Sequence, residues 1–400
     1  MKGTPTATSC RAFNSILWSA FRSNPAYELV PFDRLPQDQQ AVLKDLACDP
    51  DLYGVLRPRV PGACGVKSVS HDIAQVVRAL ANGGPLPHSV AQSLGERANR
   101  TVAKLVLDGV LEIEQDGKFV CGPEAYPVIF ACHFDVEPQT VLSRLSRSAL
   151  QYGQALEIDD ASRLSGRLYC YNRIPLTPYW AHRLPTEDAV FDFLGISALN
   201  RKGILRNWVL SERGSSSAGW LHWWSRRHSS ASPEPDRVYK LYVSPQPEAL
   251  PTALRAVAEL LDDSAAHSFK VGCDPIGILR PDKLVIYFRD FEMLEQAGRA
   301  LSIRLSGCPA QGTPFTAAIS DDGLLSWGID PIPEKAALRG RGPESWRLWA
   351  TNRLASALVL ARKAPWRGIQ PWQFALERLR LDDVDTVTWA PDPDFSISAD

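Results

Sequence analysis

Polar and apolar positions alternate with a period of two over residues 238–243, which predicts a strand with Lys240 and Tyr242 on one face and Tyr239 and Leu241 on the other. Beyond Leu250 the spacing becomes that of an amphipathic helix, through Leu254, Val257, Leu260 and Leu261. A second strand at 267–271 brings in Lys270. A third, apolar through Leu284, Val285 and Ile286, is bracketed by Arg280, Asp282, Lys283, Tyr287 and Arg289. The pattern predicts lysine-bearing strands around one helix, with arginines gathered at the third strand, an arrangement suited to phosphate.

Upstream the periodicity is that of a winged helix. Ile73, Val76, Val77 and Leu80 share one face of a helix that breaks at Gly83-Gly84-Pro85, and a short helix over 89–94 and a longer one through Val102, Leu105 and Val106 follow. Residues 110–120 read as the wing, a hairpin turned at Asp116-Gly117. Residues 166–173 alternate again and predict a strand stacking Arg167, Tyr169, Tyr171 and Arg173 on one face, either the wall of a peptide groove or a sheet edge blunted by charge. Between 201 and 228, Arg201, Lys202, Arg206, Arg213, Arg226 and Arg227 interleave with Trp208, Trp220, Trp223 and Trp224 in what reads as a basic, tryptophan-rich loop; Gly214-Ser215-Ser216-Ser217 predicts that it is mobile, and residues 229–235 read as a linker. The expected organisation is a tail at 1–25, a winged-helix-like domain at 26–125, a middle region at 126–228 and a C-terminal α/β domain at 229–400, α+β in class.

Four hundred residues with 45% hydrophobic content suffice for a large core and two or three domains. A formal net charge of -1 gives no overall pull toward nucleic acid or an anionic membrane. Around the winged-helix segment, Lys67, Arg78, Arg97, Arg100, Lys104 and Lys118 are balanced by Asp72, Glu96, Asp108, Glu112, Glu114 and Asp116, whereas a DNA reader needs a positive excess. Peptide binding leads for this segment, ahead of a structural role and of DNA binding. The start lacks a basic-then-apolar signal pattern and eighteen apolar residues never run together, so a cytoplasmic location without membrane contact is expected. Eight cysteines without a Cys-x-x-Cys pair indicate neither a zinc site nor a disulfide framework, although Cys273 lies close to Lys270 in the chain.

The order of these residues resembles the phosphothreonine lyases of type III secretion, whose strands carry Lys-x-His, then Lys-x-Lys-Val-Thr-Asp, then an arginine, then Tyr-x-Lys. The chain has Lys240-Leu241-Tyr242, then residues 268–274 with Lys270 and Asp274, then Arg280, then Tyr287-Phe288-Arg289. It resembles more closely the HopA-type effector-like family encoded beside lanthipeptide and thioamitide precursors, through Phe269-Lys270-Val271-Gly272, residues 279–288, Gly312-Thr313-Pro314-Phe315-Thr316-Ala317 and residues 345–353. The winged-helix segment, with strands expected in 52–69, is similar in outline to the leader-peptide recognition element of peptide-modifying enzymes.

These resemblances imply a phosphothreonine-lyase-like domain acting on phosphoserine or phosphothreonine of a ribosomally made precursor peptide. Such a lyase takes the Cα proton, stabilises charge on the neighbouring carbonyl and receives the leaving phosphate, with no cofactor and no metal. Lys270 is implied as general base, which needs a pKa brought down by burial and nearby cations. Lys240 is implied to polarise the substrate carbonyl, and Arg280, Arg289, Arg353 and Tyr287 to surround the phosphate, a task that guanidinium groups suit. Arg167, Tyr169 and Arg173 are expected to bind substrate, and Arg362 is a substitute for Arg353. Tyr242 stands where the lyases carry their general-acid histidine, and its reference pKa of about 10 makes it a weaker acid at neutral pH. Either Tyr242 donates, or arginines neutralise the leaving phosphate, or another histidine enters; His267 is near in sequence but expected to face away. The partners implied are the phosphorylated precursor, a separate serine/threonine kinase-like protein and a cyclase. The rival readings are a HopA-type binding protein without catalysis and a winged-helix regulator.

Overall fold

The computed structural model describes residues 14–391 apart from 45, 46, 48, 61–64, 131–136, 212–218, 228–236, 262–263, 332–343 and 364–367. The expected linker at 229–235 and the glycine-serine loop at 214–217 therefore lie outside the described residues. Seven strands form one sheet, in the order Ala317–Ala318, Leu325–Ile329, Tyr239–Val243, Leu284–Phe288, Ser268–Gly272, Trp220–Ser225 and Trp208–Leu210. Every pairing is antiparallel. The class is α+β, but the expected C-terminal α/β domain is replaced by a wholly antiparallel sheet: the strands before and after the helix Leu250–Leu261 run in the same sense, and Leu284–Phe288 lies between them antiparallel to both.

One face of the sheet carries the apolar residues of each alternation. Leu241, Val243, Phe269, Val271, Leu284, Ile286, Leu221 and Trp223 pack against Leu254, Val257 and Leu261 of that helix and Leu294 and Leu301 of the helix Phe291–Arg304. Asp290 starts the latter by accepting a hydrogen bond from the Met293 amide at 3.0 Å. The tryptophans read as part of a basic loop are strand residues: Trp223 stacks on Phe269 at 4.9 Å, and Trp208 meets the same ring edge-on. The two strands that hold them complete the sheet, so the boundary at 228 falls inside a structural unit.

The N-terminal periodicities form helices at His71–Ala79, His88–Leu94 and Ala98–Leu107 and a hairpin of Leu111–Gln115 with Lys118–Val120. Asp116 and Gly117 both have positive φ, as a tight two-residue hairpin turn requires. Residues assigned to the tail contribute a strand, Ala20–Ser23, which lies between Gly84–Pro85 and the hairpin. A separate three-stranded sheet joins Tyr27–Pro31, Leu52–Pro58 and Lys67–Ser70. The core beneath these elements is completed from the far end of the chain by the helices Trp346–Lys363 and Pro371–Arg380 and by Val141–Ala155 and Ala161–Tyr169. Most of Trp346–Lys363 is buried, Trp346, Trp349, Leu354 and Leu358 among them, and Leu348, Asn352 and Ser356 form its outward side.

Residues 166–173 are not a strand. Asp160 caps the helix Ala161–Tyr169 through the Arg163 amide at 2.7 Å, and Leu164, Ser165 and Leu168 form its buried face. The chain then turns at Asn172, which has φ 65°. Alternation read from Gly166 onward caught the end of a helix and the turn beyond it.

Candidate functional site

The face opposite the apolar core is set by register. Gly328, Lys240, Tyr287, Ser268 and Trp224 form one cross-strand row; Ser326, Tyr242, Val285, Lys270 and His222 form the next. Gly328 is glycine for a physical reason: a Cβ there would enter the Trp346 indole that lies over this row. The two lysines flank the Tyr287 ring, with their Nζ atoms 5.3 and 5.5 Å from its centroid. Lys240 is paired with Asp330 at 2.5 Å. Lys270 has no ion pair or hydrogen bond among the described residues; its Nζ sits 4.4 Å from the centre of the Trp220 ring. Burial, then Lys240 and Arg280, bring the Lys270 pKa down to about 8.

Beside the lysines, Asp282 gathers cations. Arg280 donates to both its carboxylate oxygens, at 2.8 and 2.9 Å, and Arg347 approaches within 2.9 Å. Burial alone would raise the Asp282 pKa, but Arg347 and Arg280 hold it far below the usual carboxylate range. The Tyr169 hydroxyl donates to Asp282 at 3.0 Å and accepts from Arg280 at 3.0 Å. Burial, reinforced by Asp282, pushes its pKa up to about 12. Arg280 also lies over Trp220, 4.9 Å from the ring centre, which carries the cluster toward Lys270. The Arg280 Nη1 has no hydrogen bond among the described residues.

The structure thus brings together Lys240, Lys270, Tyr287, Arg280 and Tyr169. Tyr242 is on the same face, two strands from Lys270, but is fully buried, and burial followed by Asp330 raises its pKa well above 10. Arg289 is half-buried with Nε unpartnered among the described residues. Arg353 is placed elsewhere, stacked on Trp349 at 4.3 Å and 3.5 Å from Asp382. Arg362 caps carbonyls of Leu156 and Ile158 and is structural. Arg167 is exposed and Arg173 follows the Asn172 turn, and neither joins the Asp282 cluster among the described residues. Lys283 is also structural, fully buried and donating to the Pro245 carbonyl at 2.7 Å. Cys273 is buried behind a backbone bond from its amide to Gly219.

Three residues that sequence reasoning passed over belong to the site. Arg347 lies in a segment singled out for its pattern, but nothing in spacing marks an arginine as 1% exposed. Trp220 and His222 come from a strand read as a loop. His222 is opposite Lys270 in register, its ring 4.5 Å from Trp224 and 5.7 Å from Tyr287. Burial, then Lys270 and His267, lower its pKa to about 4. His267 is turned toward the same end, against Trp224 and Tyr287, and its Nδ1 is 3.1 Å from the Tyr287 carbonyl. Among the described residues no cluster of His, Cys, Asp and Glu could hold a metal, and no helix is long and apolar enough to cross a membrane.

No protein-family model matches the chain, and neither does any curated protein. Among solved structures, the chain is similar to an effector protein from Pseudomonas syringae pv. tomato strain DC3000 at 15% identity, covering 63% of this chain and 98% of that one with a TM-score of 0.40. A second effector, from Pseudomonas syringae pv. syringae strain 61, gives 14% identity over 64% and 99%, TM-score 0.41. The type III effector/phosphothreonine lyase OspF from Shigella flexneri gives 12% identity over 42% and 96%, TM-score 0.28.

Proposed function

We propose that the protein is a lyase that eliminates phosphate from phosphoserine or phosphothreonine in a ribosomally made precursor peptide, leaving dehydroalanine or dehydrobutyrine. The observation that carries this reading is Lys270: a half-buried lysine without a carboxylate partner among the described residues, its pKa lowered to about 8, facing Lys240 and Arg280 on one side of the sheet. A neutral amine there can take the Cα proton. Lys240, held by Asp330, supplies positive charge for the substrate carbonyl, and Arg280 and Arg289 supply it for the phosphate. As Cα–H breaks, its electron pair forms the Cα=Cβ bond and the Cβ–O pair leaves with phosphate. A separate kinase must first install that phosphate, and the product is the electrophile that a cyclase consumes.

The cleft beside Tyr53, His71, Gln75 and Arg78 supports leader-peptide binding by the N-terminal elements. The burial of Tyr242, which stands where the lyases it resembles have their acid, favours the second reading, a binding protein of the same fold without catalysis. Incubating Lys270→Ala and the parent with a phosphothreonine peptide and following phosphate release by mass spectrometry separates the two. The expected loss is about a hundredfold or more with peptide affinity retained. A variant within tenfold of an active parent, or an inactive parent, overturns the lyase reading.

A further inference from the structure

We propose that His222 is the catalytic acid that protonates the departing phosphate, the role that Tyr242 cannot fill. This rests on the lyase reading and deepens it. The register places His222 beside Lys270 on the side away from Tyr242: along the row, Tyr242, Val285, Lys270 and His222 follow one another on adjacent strands. The His222 Nε2 atom is buried and has no hydrogen-bond partner among the described residues. A buried polar atom left without a partner is uncommon and calls for a ligand or a chemical role. Ser268, in the adjacent row beside Trp224, has its hydroxyl in the same condition, so two unpartnered polar atoms face one side of Lys270.

The other candidates are less well placed or weaker acids. The Tyr242 side chain is 3% exposed, and its ionisation is opposed by burial and by Asp330, which makes it a weak acid. His267 precedes the strand that bears Lys270 and lies outside the cross-strand row that Lys270 shares with His222. Arginine does not give up its proton at working pH.

The groups facing His222 are Lys270 and His267 from the neighbouring strand and the loop before it, Tyr287 one strand further, and Trp224 on its own strand; on the outer side the Ser211 amide bonds its carbonyl at 2.8 Å. Burial, then Lys270 and His267, oppose its protonation, which keeps the imidazole neutral in the empty site. A phosphate dianion reverses that balance, and the ring takes up a proton as the substrate binds. In the reaction Lys270 Nζ gains the Cα proton, the Cβ–O bond breaks toward oxygen, and the His222 proton passes to that oxygen, so phosphate leaves as the hydrogen phosphate dianion. Lys270 ends protonated and His222 neutral, and exchange with water restores both.

The test uses the full chain, a phosphothreonine peptide and three variants: His222→Asn, His222→Gln and Lys270→Ala. For His222→Asn, a fall in kcat of about a hundredfold or more is expected with KM within about threefold. The pH profile adds a readout that a packing role would not move. The parent needs one proton shared between the pair and gives a bell, whereas the asparagine variant needs only neutral Lys270, so its rate climbs to a plateau and the alkaline decline disappears. If His222→Asn does not fold, the same measurements on His222→Gln decide. A loss of less than tenfold in the folded variant, or a bell retained in it, overturns the assignment while an inactive Lys270→Ala leaves the lyase reading standing. An inactive parent, or an active Lys270→Ala, overturns both.

Discussion

Two buried aspartates organise cations in this protein, and they do so to different ends. Asp382 is reached by Arg378 at 2.8 Å, Lys104 at 2.9 Å and Arg353 at 3.5 Å, while Arg378 also grips Asp108 at 2.7 Å. Every cation there has a carboxylate beside it, and the network ties the N-terminal helix Ala98–Leu107 to the C-terminal helix Pro371–Arg380. Asp282 is reached by Arg280 and Arg347 in the same way, but Lys270 beyond them has no carboxylate of its own. Saturated charge joins elements, and unsaturated charge waits for an anion. A buried cation excess costs stability, so its presence on one sheet face is a sign of function.

The sharpest way to break the comparison is at Asp382. Replacing it by asparagine leaves Arg378, Lys104 and Arg353 around a neutral group and should cost about 3–5 kcal/mol in urea unfolding, with turnover per folded molecule unchanged. The sign with pH follows from the depressed carboxyl: Arg378, Lys104 and Arg353 outweigh burial and hold its folded pKa below 3.8, so the unfolded chain binds more protons in acid. The contribution is present above about pH 4 and is lost as pH falls below it.

The opposite sign belongs to Lys270. Lys270→Met removes the unbalanced cation and should raise stability at pH 7 by about 2 kcal/mol while abolishing turnover. Its folded pKa of about 8 lies below the ordinary 10.5, so parent stability climbs as pH rises between those values. The advantage of the variant should shrink over the same window, which thermal melts at pH 7 and pH 10 would show. In the parent, if chemistry limits the rate, turnover should rise nearly tenfold per unit below about pH 8, over the range where His222 stays protonated in the complex, as read from initial rates.

Arg353→Gln should be the mildest change, at most about 1 kcal/mol and without effect on phosphopeptide turnover, since the residue is partly exposed and belongs to the Asp382 network. A large loss of turnover would return Arg353 to the phosphate site.

The lysine strands and the N-terminal helices were legible because strict alternation and helical spacing run through enough residues to set the period. Arg167 and Arg173 were misplaced because a short window over 166–173 satisfies a period of two by chance when a helix ends inside it. Arg347 and Asp282 were legible as residues but not as a pair: burial of an arginine is a tertiary fact, set here by Tyr169 and Pro314, whose carbonyls it binds at 2.8 and 3.2 Å. His222 was hidden for another reason. Cross-strand neighbours on non-consecutive strands leave no spacing in the chain, and the tryptophans beside it looked like a basic loop.

The helix Trp346–Lys363 has a consequence for how the molecule comes into being. It fills the core that the N-terminal helices began, with Leu360 beside Gly122 and Arg378 of the following helix on Asp108. During synthesis the first third of the chain leaves the ribosome with an apolar face that residues 346–380 cover only much later. The N-terminal elements must therefore wait, partly collapsed, until those residues emerge, and a chain stopped before residue 346 should be captured by chaperones or proteases before it reaches a stable state.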